Sequence, residues 1–184
     1  MSEDRLKWNR RYHNETYPTG PSALVEKYAP LARGKRALDI AAGNGRNALF
    51  LADQGFVVDA IDIADAGLAM FSGKHPNVNP ICADLDHFDI CANRYDLILN
   101  IKFLKRRLFP DIIAGLAPGG LLIFQALLQL SPGDHTRDHA DYYLRSNELL
   151  HAFLTLNILL YREISNQTNG DTTWLASLVA IKTG

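Results

Sequence analysis

Two glycines and an acidic residue in the first half of the chain have the types and the spacing of a site for a nucleoside-containing ligand. Gly43 and Gly45 follow a short apolar segment, and Asp62 ends the next one. Glycines let a ligand approach the backbone because they carry no Cβ atom, and free N–H groups at a helix start favour an anionic group. Asp62 could accept hydrogen bonds from both ribose hydroxyls. Asp39 could hold amides of the turn or an ammonium group of the ligand.

The residues around these side chains predict a strand, a helix and a second strand. Residues 37–41 predict a buried strand, a helix begins near Arg46 and stops at Gly55, and residues 56–61 predict the next strand. A helix that ends in glycine and is followed at once by an apolar run is typical of a parallel crossover unit. The carboxyl ends of the two strands, and the acids on them, would then lie side by side.

The same residues match a second kind of nucleotide site. Gly43-x-Gly45-x-x-Ala48 with the later Asp62 fits the dinucleotide fingerprint, in which alanine is permitted at the third glycine. The glycines alone therefore do not separate a nicotinamide cofactor from S-adenosylmethionine, and a tight turn without a ligand is a further interpretation.

Later segments continue the α/β pattern. Residues 78–83 predict an edge strand, because Pro80 cannot donate to a central ladder, and Asp84 follows this strand. Residues 95–99 predict a strand that ends at Asn100. Acids and amides at the carboxyl ends of parallel strands lie where open α/β sheets bind ligands.

The second half of the chain predicts a helix, a buried strand and a closing hairpin. The helix covers residues 104–116, a turn follows at residues 118–120, and the strand covers residues 121–127. A short polar connection joins strands over residues 156–164 and 173–182, so these strands are expected to be antiparallel neighbours.

Two polar segments are candidates for regions that act on the ligand. Residues 1–35 form a basic extension in which Trp8 and Tyr12 would share a helix face, either packed on the core or as a lid whose Tyr12 or Arg11 closes over the cofactor. Residues 129–145 predict a substrate-side loop, and Ser146 predicts the N-cap of the helix that follows.

Composition limits the classes of protein. The chain has 184 residues, 47% of them apolar and 21% charged, and a net charge of -1, which predict a single globular domain with no general attraction to nucleic acid or anionic membranes. The first residues carry acids and no apolar run, so we expect no secretory signal in them, and the run over residues 121–130 is too short to span a bilayer. Cys82 and Cys91 show no metal-ligand spacing, and His135 with His139 lacks a third ligand. We therefore expect a cytoplasmic protein without a metal.

The chain resembles the class I S-adenosylmethionine-dependent methyltransferases over nearly its whole length. Within that class it is similar to the small bacterial branch of tellurite-resistance and thiopurine methyltransferase-like proteins. The resemblance rests on Trp8-x-x-Arg11-Tyr12, LDIAAGNGRNALFLA, the acids Asp62 and Asp84, YDLILN, LAPGG and YYLRSNELL. It implies a doubly wound, Rossmann-like α/β sheet of about seven strands, mostly parallel, with an antiparallel C-terminal strand.

The resemblance also implies contacts with the cofactor S-adenosyl-L-methionine. The loop under its methionine part would be formed by Asp39, Ala41, Gly43 and Gly45, and its carboxylate or amine would be contacted by Arg46, Asn47 and Tyr12. Asp62 would bind the ribose, Ile63 would pack on the adenine, and Asp84 and Leu85 would contact the adenine edge. Asn100 would lie near the transferred methyl group. The sequence Asn100-Ile-Lys-Phe lacks the motif of amino-methylating DNA enzymes, which argues against a flipped-base substrate.

The expected function is methyl transfer to a small molecule, which could be a thiol, a chalcogen oxyanion, an amine or a hydroxyl, by a monomer or homodimer. No residue is assigned as catalytic. If the acceptor needs a base, the nearest candidates by region are His135, Asp138 and His139. A nicotinamide-dependent reductase and a non-catalytic module that binds the nucleoside cofactor or only a partner are the alternatives.

Overall fold

A seven-stranded sheet lies at the centre of the residues that the structure describes. The structure, a computed structural model, describes residues 3–129, 141–168 and 171–184. The strands are β1 (Arg36–Ile40), β2 (Val57–Asp62), β3 (Val78–Cys82), β4 (Tyr95–Ile101), β5 (Leu116–Leu127), β6 (Asn157–Thr168) and β7 (Asp171–Ile181). The helices are α1 (Glu3–Asn14), α2 (Ala23–Tyr28), α3 (Arg46–Asp53), α4 (Asp65–Ala69), α5 (Leu108–Gly115) and α6 (Glu148–Ala152), and Ala29–Leu31 forms a 3₁₀ turn.

The order of the strands confirms the predicted fold class. Across the described sheet the order is β3-β2-β1-β4-β5-β7-β6. The first five strands in this order are parallel, and β7 is antiparallel to both of its neighbours. The predicted edge strand with Pro80 is confirmed as β3, and the predicted hairpin is confirmed as β6 and β7.

Apolar side chains cover both faces of the sheet, which explains why its central strands are almost continuously apolar. On one face, Ile40 of β1 belongs to the same core as Ile112 of α5. On the other face, Ala37 of β1 belongs to the same core as Leu51 of α3. The end of β1 is therefore held between two packed layers, and the turn that follows it has a fixed position.

Two elements begin at least four residues away from their predicted first residues. The strand β5 begins at Leu116, because Gly119 N–H donates to Lys182 O and Gly120 O accepts from Lys182 N–H, both at 2.9 Å. The predicted turn at residues 118–120 is thus part of the strand. The helix α5 begins at Leu108, four residues later than predicted, and its first turn holds Pro110, which needs no N–H partner there.

The predicted N-cap of α6 is wrong. Asn147, with φ of +60°, occupies that position, and α6 begins at Glu148. The hydroxyl of Ser146 donates to Glu163 Oε2 at 2.8 Å instead. Ser146 therefore connects this helix to β6, a contact between distant residues that the local sequence does not reveal.

Candidate functional site

The backbone between β1 and α3 makes a sharp turn with several residues in the left-handed region. The φ angles of Ala41, Gly43 and Gly45 are +53°, +62° and +74°. Glycine adopts such angles readily, whereas alanine does so at a cost. Gly45 immediately precedes α3, so the turn directs the start of this helix towards the ends of the neighbouring strands.

Asp62, at the end of β2, joins this turn to the turn after its own strand. Its Oδ2 accepts a hydrogen bond from Gly43 N–H and its Oδ1 accepts one from Ala64 N–H, both at 2.8 Å. Burial raises the pKa of the Asp62 carboxyl, while the amide hydrogen bonds from Ala64 and Gly43 act in the opposite direction. Asp62 therefore has a structural role in the turn, and a carboxylate has more acceptor sites than the two that these amides occupy.

Glycines permit the close packing of the turn. A Cβ atom at Gly43 would lie 2.6 Å from the Tyr12 hydroxyl, and one at Gly45 would lie 2.3 Å from the ring of Phe71. A Cβ atom at Gly67 in α4 would lie 2.8 Å from the carbonyl oxygen of Gly43. The sequence analysis did not single out Gly67. A glycine inside a short helical segment is the feature that could have indicated close packing there.

A cavity of about 500 Å³ opens beside this turn, at the carboxyl ends of the parallel strands. It brings together nine of the predicted cofactor residues, namely Tyr12, Ala41, Gly43, Arg46, Asn47, Asp62, Ile63, Asp84 and Leu85. Arg11, which the sequence analysis offered as part of a lid over the cofactor, also lines it. Residues that the sequence analysis did not assign to the cofactor line it as well, namely Asp4, Trp8, Tyr17, Pro18, Ala42, Asn44, Ile101, Lys102, Phe103, Lys105, Leu127 and Thr173.

Three predicted cofactor residues, Asp39, Gly45 and Asn100, are not among the residues that line the cavity in the described parts of the chain. Gly45 faces Phe71. Asn100 is buried and its Nδ2 donates to Phe103 O at 2.6 Å, so it shapes the loop after β4. Gly45 and Asn100 therefore contact other described residues and do not line the cavity themselves.

Asp39 is a buried carboxylate that is only partly satisfied. Its Oδ2 has no hydrogen-bond partner among the described residues. Burial, and to a lesser degree the charge of Asp62, raises the pKa of Asp39 to about 7. Arg46 acts in the opposite direction, and burial in turn lowers the pKa of Arg46. An additional cation at this place would favour the ionised form of Asp39.

Two residues of the site, the amide Asn47 and the cation Arg46, also form hydrogen bonds with the chain before β1. Asn47 Oδ1 accepts from Ser22 N–H at 2.9 Å, and Arg46 Nη1 donates to Gly20 O at 3.1 Å. The N-terminal segment therefore fixes the start of α3 from outside the sheet.

The predicted N-terminal helix is present as α1, and it contributes aromatic residues to the cavity. The rings of Trp8 and Tyr12 are 6.3 Å apart, and those of Tyr12 and Tyr17 are 4.7 Å apart. No residue of α1 is buried. Burial of the hydroxyl and the charge of Asp62 raise the pKa of Tyr12, so this hydroxyl stays protonated. The lid remains a prediction.

Several predictions fall on residues 130–140, outside the described residues. They concern His135, Asp138 and His139 as a metal pair or as bases, and most of the substrate-side loop. Within the described ranges, no three His, Cys, Asp or Glu side chains form a group that could hold a metal ion. In those same ranges, no helix is both long enough and apolar enough to cross a membrane.

Comparisons with known proteins agree with this geometry. A family model described as a methyltransferase domain matches residues 37–120, and no curated protein sequence matches the chain. TehB from Haemophilus influenzae has a similar structure, with a TM-score of 0.75 and 19% identity over 97% of this chain and 67% of TehB.

Two further solved structures share the fold. One is 1,6-didemethyltoxoflavin-N1-methyltransferase from Burkholderia thailandensis with bound 1,6-didemethyltoxoflavin and S-adenosylhomocysteine, at a TM-score of 0.71 and 19% identity over 98% of this chain and 87% of that one. The other is the [4+2]-cyclase SpnF, with a TM-score of 0.72 and 18% identity over 87% of this chain and 78% of the SpnF chain. The chain thus has the Rossmann-like fold of class I methyltransferases, and its residues 37–120 match the family model of a methyltransferase domain.

Proposed function

We propose that this protein is an S-adenosylmethionine-dependent methyltransferase that acts on a small molecule. The observation that carries the proposal is the cavity at the ends of β1 and β2, where the glycine turn, Asp62 and Asp84 meet. The match of residues 37–120 to a methyltransferase domain supports it, and so does the S-adenosylhomocysteine bound to the similar enzyme from Burkholderia thailandensis.

The residues of the cavity fit the cofactor in size and in chemistry. A volume of about 500 Å³ lies within the range of roughly 300–1,000 Å³ that small-molecule sites occupy. The absence of a Cβ atom at Gly43 lets the hydroxyl of Tyr12, which lines the cavity, lie against the backbone of the turn. Asp62 would accept the ribose hydroxyls, and Asp84 and Leu85 would contact the adenine. Asp39, whose Oδ2 has no hydrogen-bond partner within the described ranges, would offset the positive charge of the cofactor's ammonium group from beneath the turn.

The chain's own contribution to the reaction would be alignment and exclusion of water. When bound, the cofactor supplies an activated methyl group that is transferred by in-line displacement, which depends chiefly on how the reactants are oriented. Tyr12, Trp8 and Tyr17 would cover the cavity and exclude water from it. Tyr12 stays protonated, so it would orient a ligand as a hydrogen-bond donor and would not act as a base.

The acceptor class and the branch remain proposals. Similarity of fold to TehB agrees with the tellurite-resistance and thiopurine methyltransferase-like branch, and thiols and chalcogen oxyanions are then the first acceptors to examine. A nicotinamide-dependent reductase is the weaker candidate. The strand order of dinucleotide folds continues with further parallel strands, whereas here β7 is antiparallel and lies between β5 and β6.

Titration calorimetry with S-adenosylhomocysteine tests the proposal, and Gly43→Ala provides a variant aimed at the cavity. The added Cβ atom would lie 2.6 Å from the hydroxyl of Tyr12, so this ring, which lines the cavity, would have to move. We expect the wild-type protein to bind and Gly43→Ala to bind at least about tenfold more weakly, which corresponds to about 1.4 kcal/mol.

Gly55→Ala is the matched control. Gly55 has a φ of +84°, so alanine there has a comparable backbone cost, but its Cβ atom would meet nothing within 4 Å. We expect this control to lose stability and to retain affinity. Absence of S-adenosylhomocysteine binding to the folded wild-type protein would refute the proposed function.

A further inference from the structure

The cavity extends past the residues proposed for the cofactor, to strands on the other side of β1. Leu127 ends β5, Thr173 lies at the same edge in β7, and Lys102 and Phe103 follow β4. The strands β4, β5 and β7 are separated by β1 from β2, where Asp62 lies. This part of the cavity is therefore available to a second reactant, and we call these four residues the acceptor side.

The backbone of Lys102 is held in an unfavourable conformation. Its φ is +60°, a value that favours glycine. The Lys102 N–H donates to Gln125 O of β5 at 2.7 Å, and Asn100 Nδ2 donates to Phe103 O at 2.6 Å, so both sides of the residue are fixed. Backbone strain of this kind concentrates at functional sites, where the surrounding structure maintains it. Here it presents a lysine where glycine would be the least costly residue.

Lys102 also differs from nearby cations in its charge environment. Arg11 is paired with Glu15 at 2.9 Å, and Lys105 is paired with Asp86. No carboxylate of the described chain lies within ion-pair distance of the Lys102 ammonium. Within the described ranges, the acceptor side consequently combines the exposed ammonium of Lys102, which no carboxylate pairs with, and the apolar side chains of Phe103 and Leu127.

We propose that Lys102 binds the acceptor through an anionic group and so selects negatively charged acceptors over neutral ones. This inference rests on the proposed methyl transfer. A lone pair of the acceptor forms the bond to the methyl carbon, the carbon–sulfur bond breaks, and its electron pair stays on sulfur. An acceptor that is already ionised releases no proton, and a thiol gives its proton to solvent before the attack. Lys102 is a specificity-determining residue in this scheme.

The test measures binding of two anionic probes, 3-mercaptopropionate and selenite, to the full chain saturated with S-adenosylhomocysteine. The methyl ester of 3-mercaptopropionate is the neutral comparison. Lys102→Gly removes the ammonium and relieves the backbone strain, so it tests the charge without a risk to folding. Lys102→Arg keeps the charge, and Lys74→Asn removes an exposed lysine that does not line the cavity.

We expect at least one anionic probe to bind about ten to a hundred times more weakly to Lys102→Gly than to the wild type. This is the change expected when one hydrogen bond to a charged group is lost. Lys102→Arg should retain binding of the anionic probes, and Lys74→Asn should bind them as tightly as the wild type does. The affinity for S-adenosylhomocysteine should be the same in all of these variants. If a probe is methylated, its KM should be higher in Lys102→Gly than in the wild type, and kcat should be the same in both. Failure of both anions to bind, tighter binding of the ester, or unchanged affinity in Lys102→Gly would each overturn the assignment. The proposed function would be refuted separately, by failure to bind S-adenosylhomocysteine.

Discussion

Two buried carboxylates at the ends of neighbouring strands differ in how their oxygens are satisfied. Asp62 accepts hydrogen bonds from two backbone amides, whereas Asp39 has an oxygen without a partner among the described residues. Their positions near the carboxyl ends of apolar strands predicted both as ligand contacts, but position does not reveal which amides the turn supplies. That depends on the left-handed angles at Ala41 and Gly43, which bring the amide of Gly43 to Asp62. Replacement of Asp62 is therefore expected to cost stability as well as binding.

Asp39→Asn should stabilise the protein, and increasingly so as pH rises. The folded-state pKa of about 7 exceeds the ordinary value of 3.8, so the folded protein binds a proton that the unfolded chain releases over this interval. The wild type then loses stability from about pH 4 to pH 7, whereas the neutral amide does not. At pH 8 the difference should reach up to about 4 kcal/mol. Urea unfolding of both proteins at a series of pH values measures this difference in unfolding free energy. A difference that does not change with pH would contradict the raised pKa of Asp39.

At the scale of elements, α1 is attached to the domain in an unusual way. None of its residues is fully buried. Tyr12 packs against Gly43, and polar bonds hold the helix to α4: Arg5 Nε donates to Asp65 Oδ1 at 3.1 Å and Asn9 Nδ2 donates to the same oxygen at 2.6 Å. Asn9 Oδ1 also accepts from Ala66 N–H at 3.1 Å. A helix held by exposed polar bonds can detach at a low cost in free energy, which is what a cover over a cavity requires.

Asp65→Ala should weaken the hold on α1 and leave the sheet intact. Exposed ion pairs contribute about 0.2–1 kcal/mol, so the midpoint of thermal unfolding should change little. Affinity for S-adenosylhomocysteine should fall by up to about fivefold, chiefly through faster dissociation in stopped-flow measurements. The exposed Asp89, replaced by alanine, serves as the control. A loss of several kcal/mol in unfolding free energy would show instead that α1 is part of the structural core.

For the whole molecule, the sequence predicted the sheet and nine of the residues that line the cavity, because both depend on local patterns. Apolar runs followed by acids located the strand ends, and Pro80 located the edge. The contacts that shape the interior of the site were not predictable, because they join distant segments: Tyr12 over Gly43, Phe71 against Gly45, and the turn at Lys102 fixed by β5. The family pattern named residues of the glycine turn, whereas the acceptor side came only from the strand order.

The position of β7 leads to a prediction about which cofactor stabilises the whole fold. The glycine turn alone fits both S-adenosylmethionine and nicotinamide cofactors, but the antiparallel β7 between β5 and β6 departs from the parallel order of dinucleotide folds. S-adenosylhomocysteine at a hundred times its Kd should raise the free energy of unfolding by about 2.7 kcal/mol. For a chain of this size, the midpoint of thermal unfolding should rise by about 5–10 °C. NADH at the same concentration should give no shift, and a larger shift with NADH would favour the reductase.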